Sequence, residues 1–304
     1  MKILIRNFLY LLEALMFILW ILFCKMLGIN LASNIGGKLG KILGPFTNLN
    51  KIAHKNLKKI FHNKNEESIK KISLKMWDNL GRTIAEMSFA NKLDPYKTDK
   101  INSYNNKPRF IIQGKKHIEE LKNQKGGLLF SAHIGNWEIC PLITTKYNLE
   151  TTSIYRHANN PINEKIIQWL RNGICLYTPK GPEGAKKIFK VLRNNKYAAV
   201  LADQKLNEGK LINFLGHPAK TATAIAEFSI KLSLPIIPVH VERINGPTFK
   251  YIVEKPLKIP DKNLSHEEKV LYILNEINDV MSKWILKNPD QWLWIHNRWG
   301  KFLS

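Results

Sequence analysis

Cysteine is scarce: the 304-residue chain holds three, Cys24, Cys140 and Cys175. They are isolated and odd in number, which excludes a disulfide framework and points to a reducing compartment. Zinc-finger cysteine pairs, a Walker loop and clustered arginine–aromatic patterns are missing, so no nucleic-acid module is indicated. No ligand spacing marks a metal site. Internal repeats and low-complexity tracts are also absent. Acidic residues are few. Against 47 Lys and Arg stand 24 Asp and Glu, giving a formal net charge of +23. Such a field favours anionic partners: nucleic acid, acidic proteins or phosphate-bearing membrane surfaces. Solvated lysines account for part of it.

The amino terminus is where long apolar sequence does occur. Residues Phe8–Cys24 are nearly all apolar, and seventeen helical residues span about 26 Å at roughly 1.5 Å each, the short end of what crosses a bilayer. Glu13 interrupts the run and calls for a partner or for snorkelling to the interface. No small-residue cleavage site follows, so the segment reads as a retained anchor. Lys2 and Arg6 precede it, while Lys25, Lys38, Lys41 and Lys51 follow. The heavier positive side is carboxy-terminal, which assigns the main domain to the cytoplasm. A core helix or an interfacial helix is the alternative.

The expected organisation is an anchor over 1–30, a helical membrane-proximal region over 31–100 and an α/β domain over 101–304. Within Glu66–Leu93, Ile69, Ile72, Trp77, Leu80, Ile84 and Met87 recur at helical spacing. Asp94–Pro108, with two prolines and several asparagines, is the natural boundary. Beyond it, strands are predicted at Phe110–Gln113, Gly127–Ala132, Thr152–Tyr155, Ile174–Tyr177, Tyr197–Ala202, Pro235–Val241 and Phe249–Val253. Helices are predicted at Asn136–Thr145, Asn163–Asn172, Pro182–Arg193, Thr221–Leu232 and His266–Leu286. This alternation predicts a mixed, mainly parallel sheet flanked by helices.

Ligand sites of such sheets lie at the carboxyl ends of strands. Three polar clusters fall there: Ser131–Glu138, Tyr155-Arg156-His157 and Asp203-Gln204-Lys205. In the first, an apolar run ends at His133 and Glu138 follows five residues later. On one helix those positions lie about 140° apart, so the two meet only if His133 occupies the turn and Glu138 opens the next helix. That layout would give an imidazole base and an orienting carboxylate; a structural, hydrogen-bonded histidine fits the residues equally. His62 and Glu67 repeat the spacing in a polar stretch and read as solvated surface. Arg156 fits an anion contact or plain surface, and Asp203 fits capping or catalysis. Cys140 lies close to the motif but lacks an activating pattern and reads as a small core residue.

Read in order, the clusters resemble the lipid A late acyltransferases of Gram-negative bacteria. The matching pieces are Ser-Ala-His133-Ile-Gly-Asn-Trp-Glu138, Tyr155-Arg156 with Asn160-Pro161, Asp203-Gln204, Phe214-Leu-Gly216-His-Pro-Ala219-Lys-Thr221 and Pro289–Trp299. The resemblance implies a glycerolipid-acyltransferase-like fold behind a single-pass anchor, in the bacterial inner membrane. It implies transfer of a fatty acyl chain from acyl carrier protein to a hydroxyl on an acyl chain of a lipid A precursor. By it, His133 is the general base and Glu138 its orienting partner, while Arg156, Lys180, Asp203 and Gln204 bind substrate or the oxyanion. No metal and no cofactor beyond the carrier's phosphopantetheine are implied. The implied partners are acyl carrier protein, the glycolipid acceptor and anionic membrane lipids, with no nucleic acid. Lys180 stands where the resemblance leads one to expect arginine, and Asn297 interrupts a commonly basic pair. The rival readings are an acyltransferase of the same superfamily acting on another glycolipid and, outside that class, a basic membrane-anchored binding protein without catalysis.

Overall fold

With no helix breaker before Gly28, the apolar amino terminus builds helix α1 over Lys2–Leu43 in a computed structural model, which describes residues 2–259 and 263–300. The helix kinks at Gly28, whose φ of 74° is outside the helical range. It is thus longer than the expected anchor, and its two halves do different things. By length and composition the helix is apolar enough to cross a membrane, and its first half carries the apolar run Phe8–Cys24. That half buries one stripe, Ala14, Ile21 and Cys24, while Phe8, Leu12, Leu15, Leu19 and Phe23 stay exposed. The second half packs on α3 (Glu66–Glu86), with α2 (Asn48–Ile60) alongside. That packing is intimate because Gly36 faces Gly81: a Cβ on either would run into the other's carbonyl oxygen. Helix α3 begins where Asn65 accepts the Ser68 N–H, a standard amino-terminal cap.

A short hairpin, β1 (Ser103–Tyr104) and β2 (Lys107–Pro108), occupies the expected boundary, and β3 (Phe110–Gln113) opens the α/β domain. There follow α4 (Lys115–Leu121), β4 (Gly127–Ser131), α5 (Leu142–Thr145), β5 (Thr151–Tyr155), α6 (Pro161–Leu170), β6 (Leu176–Pro179), α7 (Pro182–Arg193) and β7 (Tyr197–Leu201). The chain ends with the hairpin β8 (Lys210–Phe214) and β9 (His217–Thr221), then α8 (Ala224–Leu232), β10 (Ile236–Asn245), β11 (Thr248–Val253) and α9 (His266–Lys287). The central sheet runs β3-β11-β10-β4-β7-β5-β6, with every neighbouring pair parallel except β10–β11.

The expected mainly parallel sheet is therefore present, with small differences. The helix predicted over Asn136–Thr145 is a 3-10 turn at Trp137–Ile139 and then α5, divided at Pro141. The helix predicted from Thr221 starts at Ala224, because Thr221 closes β9. The β8–β9 hairpin was not expected: its strands carry lysines and a proline, and its signal lies in Leu215-Gly216, both at positive φ.

Each sheet face has its own core. Leu129, Tyr197, Ile237, Val239 and Tyr251 pack toward Cys24, Ile29, Ala32 and Phe89 on the α1 side. Leu128, Phe130, Ala198 and Ile236 pack toward α7, α8, α9 and the indoles of Trp292, Trp294 and Trp299. The α1 side also touches the carboxyl edge of the sheet. Asn160, which caps α6, donates from Nδ2 to the Tyr10 carbonyl at 2.9 Å and to Glu13 Oε2 at 3.0 Å. Lys25 Nζ stands 4.2 Å above the Trp169 ring at the other end of α6. Glu13 thus has a protein partner.

Candidate active site

Strands β4 and β7 end alike, Ser131-Ala132-His133 and Leu201-Ala202-Asp203, and they pair in parallel with Ser131 opposite Leu201. Two residues past that pair, His133 and Asp203 must meet. His133 Nδ1 lies 2.8 Å from Asp203 Oδ1, and the His133 backbone N–H donates to Asp203 Oδ2 at 2.9 Å. The Trp292 indole Nε1–H donates to the same Oδ2 at 2.7 Å. Burial alone would raise the Asp203 carboxyl, but the adjacent His133 ring and its hydrogen bonds outweigh that and hold it well below the carboxylate range. An ionised Asp203 makes Nδ1 the protonated nitrogen of a neutral His133 and leaves a lone pair on Nε2.

That lone pair faces Gln204. The Gln204 amide nitrogen lies 3.3 Å from His133 Nε2 and 3.4 Å from His296 Nε2, so its two N–H groups bridge two imidazoles. Burial, with His133 beside it, lowers the His296 pKa to about 4, which keeps that ring neutral and able to accept. The Trp137 ring packs against His133 at 5.3 Å between centroids.

The turn after His133 is fixed from below. Gly135 has φ 58°, and a Cβ there would strike the Val241 carbonyl oxygen. Its N–H donates to the Gln291 carbonyl at 3.1 Å, and its own carbonyl accepts from Asn79 Nδ2 at 2.8 Å. Asn136 Nδ2 donates to fully buried Glu86 at 2.7 Å. The same carboxylate accepts from Ser33 of α1 at 2.6 Å and from Arg243 of β10 at 2.5 and 2.9 Å. One carboxylate thereby joins α1, α3, the motif turn and β10.

Glu138 does not bond to His133: Arg171, at the end of α6, grips it through Nε at 2.9 Å and Nη2 at 2.8 Å. The 3-10 turn at Trp137–Ile139 carries the carboxylate around to α6, and Asp203 holds the place at Nδ1 that was expected for Glu138. Burial would lower the Arg171 guanidinium, yet Glu138 outweighs it and keeps the arginine charged. This ion pair lies at an apolar cavity on the α1 side of the sheet, about 590 Å³ of free space including the part open to solvent, lined also by Leu129, Cys140, Ile143 and Val239. Burial pushes the Cys140 thiol up to about 12, so it sits there as a small apolar group.

Of the expected site residues, the structure therefore brings Asp203 and Gln204 to His133. Arg156 and Lys180 are exposed just beyond β5 and β6, where the Lys180 N–H donates to the Tyr155 carbonyl at 2.8 Å. Neither side chain hydrogen-bonds to His133, Asp203 or Glu138. His62 and Glu67 are exposed, as expected. Arg171, His296, Trp292 and Glu86 join the site without having been assigned to it from sequence. Only the matching Ala-His and Ala-Asp strand ends would have revealed the His133–Asp203 pair in advance.

A model of the bacterial lipid A biosynthesis acyltransferase family matches residues 2–301 of the chain. No curated protein matches it.

Proposed function

The chain belongs to the bacterial lipid A biosynthesis acyltransferase family, and from that premise we propose that it moves a fatty acyl chain from an acyl carrier protein thioester to a hydroxyl of a lipid A precursor, with His133 as general base. The observation that carries this reading is the buried Asp203 carboxylate on Nδ1, which leaves Nε2, met only by the displaceable Gln204 amide, as the proton acceptor at the end of β4.

A thioester is already activated, so no covalent enzyme intermediate is needed. The acceptor hydroxyl gives its proton to His133 Nε2 as its oxygen attacks the thioester carbonyl, a contribution of about 10²–10⁴-fold. The resulting imidazolium is stabilised by Asp203, as in other base–orienter pairs. Collapse of the tetrahedral intermediate breaks the C–S bond, and the departing thiolate takes the proton back. Once a hydroxyl displaces it from Nε2, the Gln204 amide is free to donate toward the oxyanion. The Glu138–Arg171 pair then acts as the charged rim of the apolar cavity, a role that keeps both residues in the site without the direct dyad. No cofactor enters these steps beyond the carrier's phosphopantetheine.

The same reading puts the first half of α1 across the inner membrane with the domain on the cytoplasmic side, as the lysines after the apolar run favour. Leu39, Ile42, Leu43 and Phe46 are exposed beside Lys38 and Lys41, a combination suited to anionic lipid at roughly 1 kcal/mol per basic residue. Exposed just beyond β5 and β6, Arg156 and Lys180 would meet acceptor phosphates or the acidic carrier. Purified protein given acyl carrier protein and coenzyme A thioesters, with a lipid A precursor or another hydroxylated glycolipid, tests this directly. Transfer from the carrier thioester to the lipid A precursor is the expected result; transfer to another glycolipid alone would overturn the acceptor assignment.

A further inference from the structure

A second apolar cavity lies on the other face of the sheet. It too encloses about 590 Å³ of free space including the part open to solvent, between β4, β7, α7, α8 and α9. Strand β7, with Ile154 of neighbouring β5, is the wall between the two cavities: Ile154, Ala199, Val200 and Leu201 line both. The space exists because the residues toward it are small, among them Ala198, Ala202, Ala222 and Ala224. Ile188, Leu274 and Phe228 close its sides. Thr221 and Gln204 are its polar lining, and Thr221 Oγ1 already accepts from Arg298 at 2.8 Å and Asn278 at 3.1 Å. A cavity with so few free polar groups does not hold water well, and unfilled space of this kind is a packing loss. It suits an apolar ligand.

Gln204 connects this cavity to the chemistry. It lines the cavity and its amide rests on His133 Nε2. A hydroxyl donating to Nε2 must come within about 2.6–3.2 Å of it and must take the place of that amide. If the hydroxyl is borne on a fatty chain, the rest of that chain continues past Gln204 into the space behind. The wall from Ala202 to Ala198 is about 13 Å deep at roughly 3.3 Å per strand residue. The cavity at Glu138 and Arg171, on the other side of β7, is then left for the donor's chain.

We infer that the cavity behind Gln204 is an acceptor-chain subsite, which takes the hydroxyl-bearing fatty chain whose hydroxyl reacts at His133 while the donor chain lies on the opposite face of the sheet. The inference rests on the acyltransferase reading above. It makes the enzyme hold two fatty chains at once, separated by one strand, with the reacting atoms meeting at its carboxyl end.

The test uses the full chain in detergent, acyl carrier protein thioesters of graded chain length, and glucosamine-phosphate acceptors bearing β-hydroxyacyl chains of graded length. Ala198→Leu fills the floor and Ile188→Ala enlarges it. Ala198→Leu is expected to lower kcat/KM at least about tenfold for the longest β-hydroxyacyl acceptor relative to the shortest, about the discrimination that one or two methylenes give in an apolar pocket. Ile188→Ala is expected to shift acceptor preference toward longer chains, which rescues the test if the filled variant does not fold. Donor chain preference is expected to remain that of the wild type in both. A change in donor preference with acceptor preference unchanged would overturn the inference, as would loss of stability with neither preference moved. If wild-type protein acylates none of these acceptors, the acyltransferase reading fails first and the subsite with it.

Discussion

Asp203→Asn is the most incisive perturbation of the site, because an amide cannot satisfy the three donors that now meet the carboxylate. Oδ2 accepts the His133 backbone N–H at 2.9 Å and the Trp292 Nε1–H at 2.7 Å, while Oδ1 faces His133 Nδ1 at 2.8 Å. The amide oxygen of asparagine must stay with the two fixed N–H donors, since an NH₂ there would oppose both. Its NH₂ then points at Nδ1, which must become an acceptor. The neutral ring switches tautomer, the proton moves to Nε2, and the lone pair needed for the acceptor hydroxyl is gone. The Gln204 amide, now opposite an Nε2–H, is forced to turn its oxygen toward it. Packing is preserved, so folding is retained while turnover falls by about 10²–10⁴-fold, or roughly 3–5 kcal/mol of barrier at about 1.36 kcal/mol per decade. Steady-state kinetics should show the loss in kcat rather than KM, and nitrogen-15 NMR of labelled histidine should show His133 protonated at Nε2. A variant with wild-type kcat, or one inactive with Nε2 still unprotonated, would refute the reasoning.

Three further outcomes follow from the same geometry. Gly135→Ala should destabilise the protein by at least about 2 kcal/mol, since φ 58° and the Val241 carbonyl both exclude a side chain; a thermal melt in detergent that matches wild type would contradict it. Glu86→Ala strips the carboxylate from the Arg243 guanidinium, whose side chain is only 8% exposed, and should cost about 3–5 kcal/mol, seen as a lower midpoint in a thermal melt in detergent. The His296 pKa is lowered by burial from 6.5 to about 4. The unfolded chain therefore binds this proton throughout that window and the folded chain does not, so stability falls as pH drops from about 6.5 to 4, by about 3 kcal/mol at about 1.36 kcal/mol per unit. Asp203 adds nothing to that slope above its ordinary pKa and loses its contribution only in stronger acid. His296→Asn should flatten the profile measured by denaturant midpoint; an unchanged slope would contradict the assignment.

Much of the fold was legible because its signals are local. Short, largely apolar runs between polar turns mark β4 and β7, and Pro182 marks the start of α7 where it was expected. The β8–β9 hairpin escaped notice because it lies off the main sheet and mixes polar residues, Lys210, Asn213, His217 and Lys220, with apolar ones rather than forming a buried run. The site was legible as a location and less so as a set of partners. His133 could be found from the strand and turn that hold it. Its carboxylate could not, because spacing along the chain favours Glu138 while strand pairing, a contact between residues 70 apart, delivers Asp203. Arg171 closes the capping turn of α6 and shows no pattern of its own, and only the fold carries it to Glu138.

The central claim, that Nε2 of His133 is the base for acyl transfer, is tested most directly by His133→Ala. Purified wild type and variant, matched in circular dichroism, should be compared for transfer from an acyl carrier protein thioester to a lipid A precursor, read by mass spectrometry of the product. A loss of at least about 10²-fold in turnover is expected. A folded His133→Ala variant that acylates the precursor at the wild-type rate would contradict the account.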